Sequence, residues 1–402
     1  MADVEGYVAP GFDEVRDVFA RNFDELGDVG AAVAVYRHGE LVVDLTGGTT
    51  TAGGDEPYGR DALQLVFSTT KGATALAAHL LVQRGQLDLD APVTDYWPEF
   101  KAQGKGEVPV RWLLCHKAGL PDVDRALTYE DALAWDPVIE ALADSTPIWE
   151  PGSKHGYHAV TYGWLVGELI RRVSGRSLGT FFAEEIAGPL GIDFWIGLPD
   201  EQHHRVVPLI PMTVPAGLLP EGAGSGSGEG DGGSGAGLIE MLELLMGSDS
   251  LIARALSAPG GAFADQTVWN RPELWRAELG AANGITNARS LAKMYASTIG
   301  EVDGVRLLSE ETLTQALEVQ TTGPDAVLIF EIPFGLGFMR DSMFSPFGAP
   351  TAFGHYGAGG AVGLADPASG ISFGYVMNKM DLGIAGDPRT KNLIDAVFRV
   401  VG

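Results

Sequence analysis

Strand-forming residues gather at the two ends of this 402-residue chain while the stretch between them reads as helix, and that distribution restricts the fold most. Near the start, residues 29–36 and 41–46 are β-rich runs joined by Arg37-His38-Gly39-Glu40, the pattern of a hairpin with a glycine in its loop. Ahead of them, Phe12, Val15, Val18, Phe19 and Phe23 recur at helical spacing and predict an amphipathic helix over residues 11–26. In the last hundred residues, 334–339, 361–365 and 371–377 alternate with turns, and a helix over 390–401 closes the chain. The middle is mainly helical, punctuated at Pro92, Pro98, Pro121, Pro151-Gly152 and Pro189. A sheet assembled from both ends must therefore enclose an insertion. The expected fold class is α/β (α+β): an antiparallel sheet drawn from both termini, flanked by helices, with an inserted helical domain. The expected division is a discontinuous sheet domain, 1–72 with 300–402, and a helical domain, 73–299, in which the Gly/Ser-rich stretch 221–237 is too poor in apolar residues to offset its ordering entropy and is expected to be a flexible loop.

Charge and cysteine usage remove several classes of function. Lys plus Arg number 27 against 53 Asp plus Glu, a net charge of −26 that repels phosphate backbones and argues against nucleic-acid binding. No run approaches the roughly 18–20 apolar residues of a membrane helix. The first residues, MADVEGY, lack a basic and then apolar leader, so a cytoplasmic location is expected. Cys115 is alone, which excludes an internal disulfide and a multi-cysteine metal site. The eight histidines form no H-E-x-x-H or comparable pattern, so neither a metal nor another cofactor is expected.

The chemistry concentrates at Ser68-Thr69-Thr70-Lys71, which follows the apolar run 63–67 and opens a helical segment. A helix starting near Ser68 would put the hydroxyl at a positive helix end, with Lys71 one turn on and Cβ atoms about 5–6 Å apart. Such a pair suits acyl transfer through serine. The same S-x-x-K spacing recurs at Ser290 and Lys293, but inside a helical run without a strand-like lead-in, where it reads as a solvated helix face. Gly370-Ile371-Ser372-Phe373-Gly374 matches the G-x-S-x-G elbow, which requires strand, then serine, then helix. Ser372 instead sits within a β-alternating run and is expected to be an exposed strand residue after a turn.

A serine nucleophile needs a base, oxyanion donors and an acid for the leaving group. Tyr157 lies just after the loop Pro151-Gly152-Ser153-Lys154-His155-Gly156 and before a helix, where a tyrosine can point into a cleft; near cations, its phenol would be lowered from about 10 and exchange protons with a serine. Tyr162 lies further into the helix and fits packing better. Gly354-His355-Tyr356-Gly357-Ala358-Gly359-Gly360 is a glycine-rich strand entry, which lets backbone N–H groups approach a substrate oxygen. His116, His155 and His158 can line the cleft or satisfy loop hydrogen bonds.

In order and context these segments resemble the serine hydrolases of the β-lactamase-like, penicillin-recognising fold, most closely the family VIII carboxylesterases. Ser68-Thr69-Thr70-Lys71 resembles the S-x-x-K box, Tyr157-His158-Ala159 the Y-x-N or Y-x-S box, and His355-Tyr356-Gly357 the third box, K-T-G in β-lactamases and H-x-G or W-x-G in the esterases. LLCHKAGLP at 113–121 and NGITNARSLA at 283–292 resemble intervening segments of the family, and the likeness spans about residues 30 to 380. The resemblance implies a nucleophile at Ser68, a proton-holding partner at Lys71, a general base at Tyr157, and an oxyanion hole from the N–H groups of Ser68 and Ala358. His355, Tyr356, Gly357 and His158 would bind substrate, a small-molecule ester. Two departures favour an ester over a β-lactam: Ala159 stands where the β-lactamases have asparagine, and His355 where they have lysine, a weaker and pH-dependent anchor for a carboxylate. Acyl transfer, amide or weak β-lactam hydrolysis on the same residues is the nearest alternative, and a non-catalytic binding protein of the same fold is the second.

Overall fold

The two ends of the chain do meet in one sheet. The computed structural model describes residues 3–212, 246–247 and 249–401, so the Gly/Ser-rich stretch 221–237 lies outside the described residues. Its strands are β1 (Val4–Val8), β2 (Gly30–Arg37), β3 (Glu40–Gly48), β4 (Gln64–Leu65), β5 (Phe194–Trp195), β6 (Ile285–Thr286), β7 (Met339–Arg340), β8 (Phe353–Tyr356), β9 (Val362–Asp366) and β10 (Ile371–Met377). Seven of these form an antiparallel sheet in the order β1-β3-β2-β10-β9-β8-β7, joined at the β2–β10 seam, where Val33 lies opposite Tyr375 and Ala31 opposite Met377. A smaller sheet, β4-β6-β5, ties the lead-in to Ser68 to two segments of the helical middle.

β10 is buried along its whole length and β2 over all but its last residue, so both faces of the sheet are covered. Helix Ala288–Ile299 covers one face of β2, β9 and β10. Glycine makes that approach possible: a Cβ on Gly374 would stand 2.5 Å from the Ala288 carbonyl oxygen. Ser372 is therefore not exposed as the sequence suggested. It is buried beneath this helix and donates its hydroxyl to the Ala292 carbonyl at 2.8 Å, so it is a strand residue closed to substrate. Helices Asp13–Glu25 and Pro388–Val401 pack together, the former burying Val15, Val18 and Phe19 as its periodicity requires.

Two local expectations need revision, and one strand was not foreseen. Residues 334–339 were expected to be a strand, yet only Met339 joins one. Gly337 (φ +89°) brings this segment so close to the helix Thr70–Gln83 that a Cβ there would sit 2.4 Å from the Ala75 methyl, and close packing replaces ladder bonding. β1 carried no sequence signal, being a short edge strand with three of its five residues exposed. The face carrying Ser290 and Lys293 is not solvated: Ser290 accepts the Asp193 N–H at 2.9 Å, and Lys293 donates to the Leu190 carbonyl at 2.7 Å and pairs with Asp303. Among the described residues no helix is long and apolar enough to cross a membrane, and no group of three or more potential metal ligands is present.

Candidate active site

Ser68 is the middle residue of a single 3-10 turn, Phe67–Thr69, that runs directly into the helix Thr70–Gln83. Phe67 takes φ +43°, a conformation that a bulky residue adopts only when its surroundings enforce it. Here the Thr70 hydroxyl donates to the Phe67 carbonyl at 2.5 Å and accepts the Gly284 N–H at 2.8 Å. The Val66 N–H is held by the Gly284 carbonyl. This turn presents the Ser68 hydroxyl to Lys71, whose Nζ lies 3.0 Å from it.

Lys71 is completely buried, and among the described residues no carboxylate opposes it. Its amine also donates to the carbonyls of Ala159 at 2.6 Å and Ala281 at 3.0 Å, and lies 4.8 Å from the centroid of the Tyr157 ring. Burial without a counter-charge holds its pKa well below the ordinary lysine value. Two residues after Ala281, the Asn283 side chain bonds the backbone of Leu274, Ala277 and Leu279.

Tyr157 occupies the loop ahead of the helix Tyr162–Ser174, as its sequence context suggested, and its phenol is near enough to the Ser68 hydroxyl for that group to favour the phenolate, against the larger effect of burial. The expected lowering of its pKa does not occur. Burial raises it, because the neighbouring lysine amine is itself desolvated and supplies no dependable positive charge. The loop is held from two sides. Its Tyr157 N–H goes to Asp325 Oδ1 at 3.0 Å, which also accepts the N–H groups of Val327 and Leu328. From the 113–121 segment, the His116 carbonyl accepts the Gly156 N–H at 3.0 Å and His116 Nδ1 accepts the His158 N–H at 3.2 Å. Tyr162 is buried with its hydroxyl unpartnered among the described residues, in keeping with packing.

Of the four residues expected to bind substrate, three are engaged elsewhere, and His355 keeps its Nε2 without a partner among the described residues. His158 donates Nδ1–H to the Gly156 carbonyl at 2.7 Å and accepts the Leu120 N–H on Nε2 at 2.9 Å, so both ring nitrogens brace loops. Tyr356 turns away from the cavity and donates its hydroxyl to the Pro346 carbonyl. Gly357 is a packing glycine: a Cβ there would stand 2.2 Å from the Val66 carbonyl oxygen and 2.8 Å from Thr69 Oγ1. His355 is fully buried, bonds through Nδ1 to the Tyr356 carbonyl at 2.7 Å, and its ring centroid lies 6.1 Å from that of Tyr157. Burial lowers its pKa to about 3 and that of His158 likewise to about 3, so neither ring is a cation at neutral pH. Burial therefore weighs against His355 as a charged anchor for a carboxylate.

Ser68 and Ala358 line one cavity of about 190 Å³. Ala358 opens a second 3-10 turn, Ala358–Gly360. The first bonds closing the two turns are donated by Thr69 and Gly360, so the N–H groups of Ser68 and Ala358 stand ahead of the bonded donors, where helix ends leave donors for a ligand. The cavity wall comes from Phe67, Leu209, Met212, Leu256, Trp269 and Met380 among others, and it includes no charged side chain among the described residues. The amide of Asn270, also in the wall, is engaged by both backbone polar groups of Leu209. Sequence reading missed these wall residues and the two carbonyls that grip Lys71. The carbonyls leave no mark in side-chain identity, and the wall residues come from segments without a motif.

Comparisons with known proteins identify the relatives of the chain. The family model described as Beta-lactamase matches residues 19–396. The chain is 36% identical over 384 residues to the Esterase/beta-lactamase LipL of Mycobacterium tuberculosis, covering 94% of this chain and 83% of that protein. The crystal structure of a family VIII carboxylesterase superposes with a TM-score of 0.83 at 35% identity, covering 99% of this chain and 100% of the other. A penicillin-binding protein homolog from Caulobacter crescentus does so equally, with a TM-score of 0.83, 37% identity and the same coverage.

Proposed function

The chain belongs to the beta-lactamase family, and on that basis we propose that it is a serine hydrolase that cleaves carboxylic esters through an acyl-enzyme on Ser68. The observation that carries the proposal is the buried Lys71 amine, with no carboxylate partner among the described residues, 3.0 Å from the Ser68 hydroxyl. A neutral amine has two N–H donors and one lone pair. The carbonyls of Ala159 and Ala281 take both donors, which leaves the lone pair to accept the Ser68 proton. Ser68 Oγ then attacks the ester carbonyl carbon, and the proton passes to Lys71. The developing oxyanion is met by the Ser68 and Ala358 N–H groups, where the loss of one donor typically costs about 3–4 kcal/mol.

Tyr157 completes the base pair as a relay. Its phenol, kept protonated by burial, gives its proton to the departing alkoxide and recovers one from Lys71. In deacylation the same groups run in reverse: a water loses a proton to the Tyr157/Lys71 pair, attacks the acyl carbon and releases the acid with Ser68 restored. Within the expected Lys71/Tyr157 pair, this reading gives Lys71 the Ser68 proton and Tyr157 the delivery of a proton to the leaving alcohol.

An ester is favoured over a β-lactam because the cavity wall carries no cationic side chain for a carboxylate among the described residues, and burial disfavours the charged forms of Lys71, His158 and His355. Names of relatives that include β-lactamase and penicillin-binding protein keep β-lactam turnover as the second reading. Parallel assays with p-nitrophenyl butyrate and nitrocefin separate the two. Ester turnover with nitrocefin slower by at least about tenfold is expected; fast nitrocefin turnover without ester hydrolysis reverses the order.

A further inference from the structure

Gly357, Ala358, Gly359 and Gly360, between β8 and β9, rest on a buried ion cluster that the reaction above does not use. Its centre is Arg389, in the first turn of the terminal helix Pro388–Val401, and all five of its N–H donors are engaged. Nη2 donates to the Gly359 carbonyl at 2.6 Å and to Asp387 Oδ2 at 2.6 Å. Nη1 donates to Asp28 Oδ1 at 2.8 Å and to the Lys379 carbonyl at 2.9 Å, and Nε goes to Asp387 Oδ1 at 3.1 Å. The far side of the cluster is closed by the Tyr375 hydroxyl on Asp28 at 2.6 Å.

Contact with the turn is intimate. A Cβ on Gly360 would lie 2.6 Å from Asp387 Oδ2 and 2.7 Å from Arg389 Nη2, so the turn has no room to shift toward the cluster. The Gly359 carbonyl held by Arg389 also accepts the Asp381 N–H at 3.1 Å, beside Met380 of the cavity wall. Peptide planes are rigid, so fixing the Gly359 carbonyl restricts the orientation of the turn that carries the Ala358 N–H one residue earlier. An oxyanion donor is effective only when it is already aimed at the place where charge develops.

We propose that Arg389, braced by Asp387, is a positioning residue that aims the Ala358 N–H into the oxyanion hole, so that the terminal helix completes the site. The inference rests on the assignment of Ser68 and Ala358 under Proposed function. Lysine cannot replace arginine here, because its three donors radiate from one atom and cannot span two carbonyls and two carboxylates.

The test compares Arg389→Lys, Asp387→Asn and Asp28→Asn, the last loosening the cluster on the side away from the turn. For each, kcat and KM on p-nitrophenyl butyrate, the rate of fluorophosphonate labelling and the melting temperature are measured. Arg389→Lys and Asp387→Asn are expected to lower kcat and the labelling rate about 10- to 100-fold with KM within about threefold, since a donor displaced by an ångström or so forfeits much of its effect. Asp28→Asn is expected to lower the melting temperature while keeping kcat within about threefold. Retention of kcat in Arg389→Lys and Asp387→Asn, or a loss of kcat in all three that tracks melting temperature, overturns the proposal. If Arg389→Lys does not fold, Asp387→Asn decides by the same readouts. Wild-type protein that neither labels at Ser68 nor turns over ester rejects the underlying assignment instead, which keeps the two failures apart.

Discussion

Acidification from about pH 7.5 to about pH 5 is expected to cost the fold about 2 kcal/mol for each of His158 and His355. In the unfolded chain each ring takes up a proton near its ordinary value of 6.5; in the folded chain burial delays this to about 3. Between those values the unfolded state binds more protons, so stability falls as the pH falls. The contribution is nearly constant above 6.5 and is lost over the lower part of the window, which lies mostly above ordinary carboxylate titration. Both rings together give about 4 kcal/mol, or about 5 °C in melting temperature for a chain of this length. His116, also buried and lowered, adds to the loss in the same direction. The assay is reversible denaturant unfolding at half-unit steps of pH, for wild type and for His158→Asn and His355→Asn. Comparison with the variants cancels the general effect of discharging a net −26 protein, which opposes the histidine term. Each variant should lose about 2 kcal/mol of the pH-dependent change, whatever its stability at pH 7.5. Equal pH dependence in wild type and both variants would refute the claim that these rings are neutral in the folded site, and with it the argument that the cavity offers no cation to a carboxylate.

Other consequences concern the reaction. Lys71→Met should lower kcat/KM by about 10²- to 10⁴-fold, the usual worth of a general base, in steady-state ester assays. In wild type kcat/KM should decline on acidification as Lys71 gains its proton, with the midpoint below the ordinary lysine value; a midpoint at or above that value would contradict the burial argument. Tyr157→Phe should leave the phosphonate labelling rate less affected than ester turnover, because the phenol serves the leaving alcohol; an equal loss in both would assign Tyr157 to activation of Ser68. Gly357→Ala should reduce ester turnover by at least about tenfold, because its Cβ must displace either β8 or the turn bearing Ser68, and unchanged turnover would show that this contact is slack.

Legibility followed the physical kind of signal. The hairpin β2–β3, the strand β10 and both terminal helices announced themselves through their apolar patterns and the turn residues between them. Lys71 three residues after Ser68 was readable because one helical turn converts that spacing into a 3.0 Å contact. The proximity of Tyr157 depends on Asp325 and on the 113–121 segment, which act through backbone groups. His158, Tyr356 and Gly357 were misassigned because adjacency to a motif does not fix where a side chain points, and alternate residues of a strand face opposite ways. The sign of the Tyr157 shift was missed for a similar reason: burial is a property of the assembled fold, and it outweighs a lysine amine that the same burial discharges.

Peptide mapping by mass spectrometry after fluorophosphonate labelling at neutral pH tests the mechanism most directly. A neutral Lys71 that activates Ser68 predicts a single adduct, on Ser68, in the wild type and almost none in Lys71→Met at the same exposure. An adduct on another serine, no adduct in the wild type, or full labelling of Lys71→Met would contradict it.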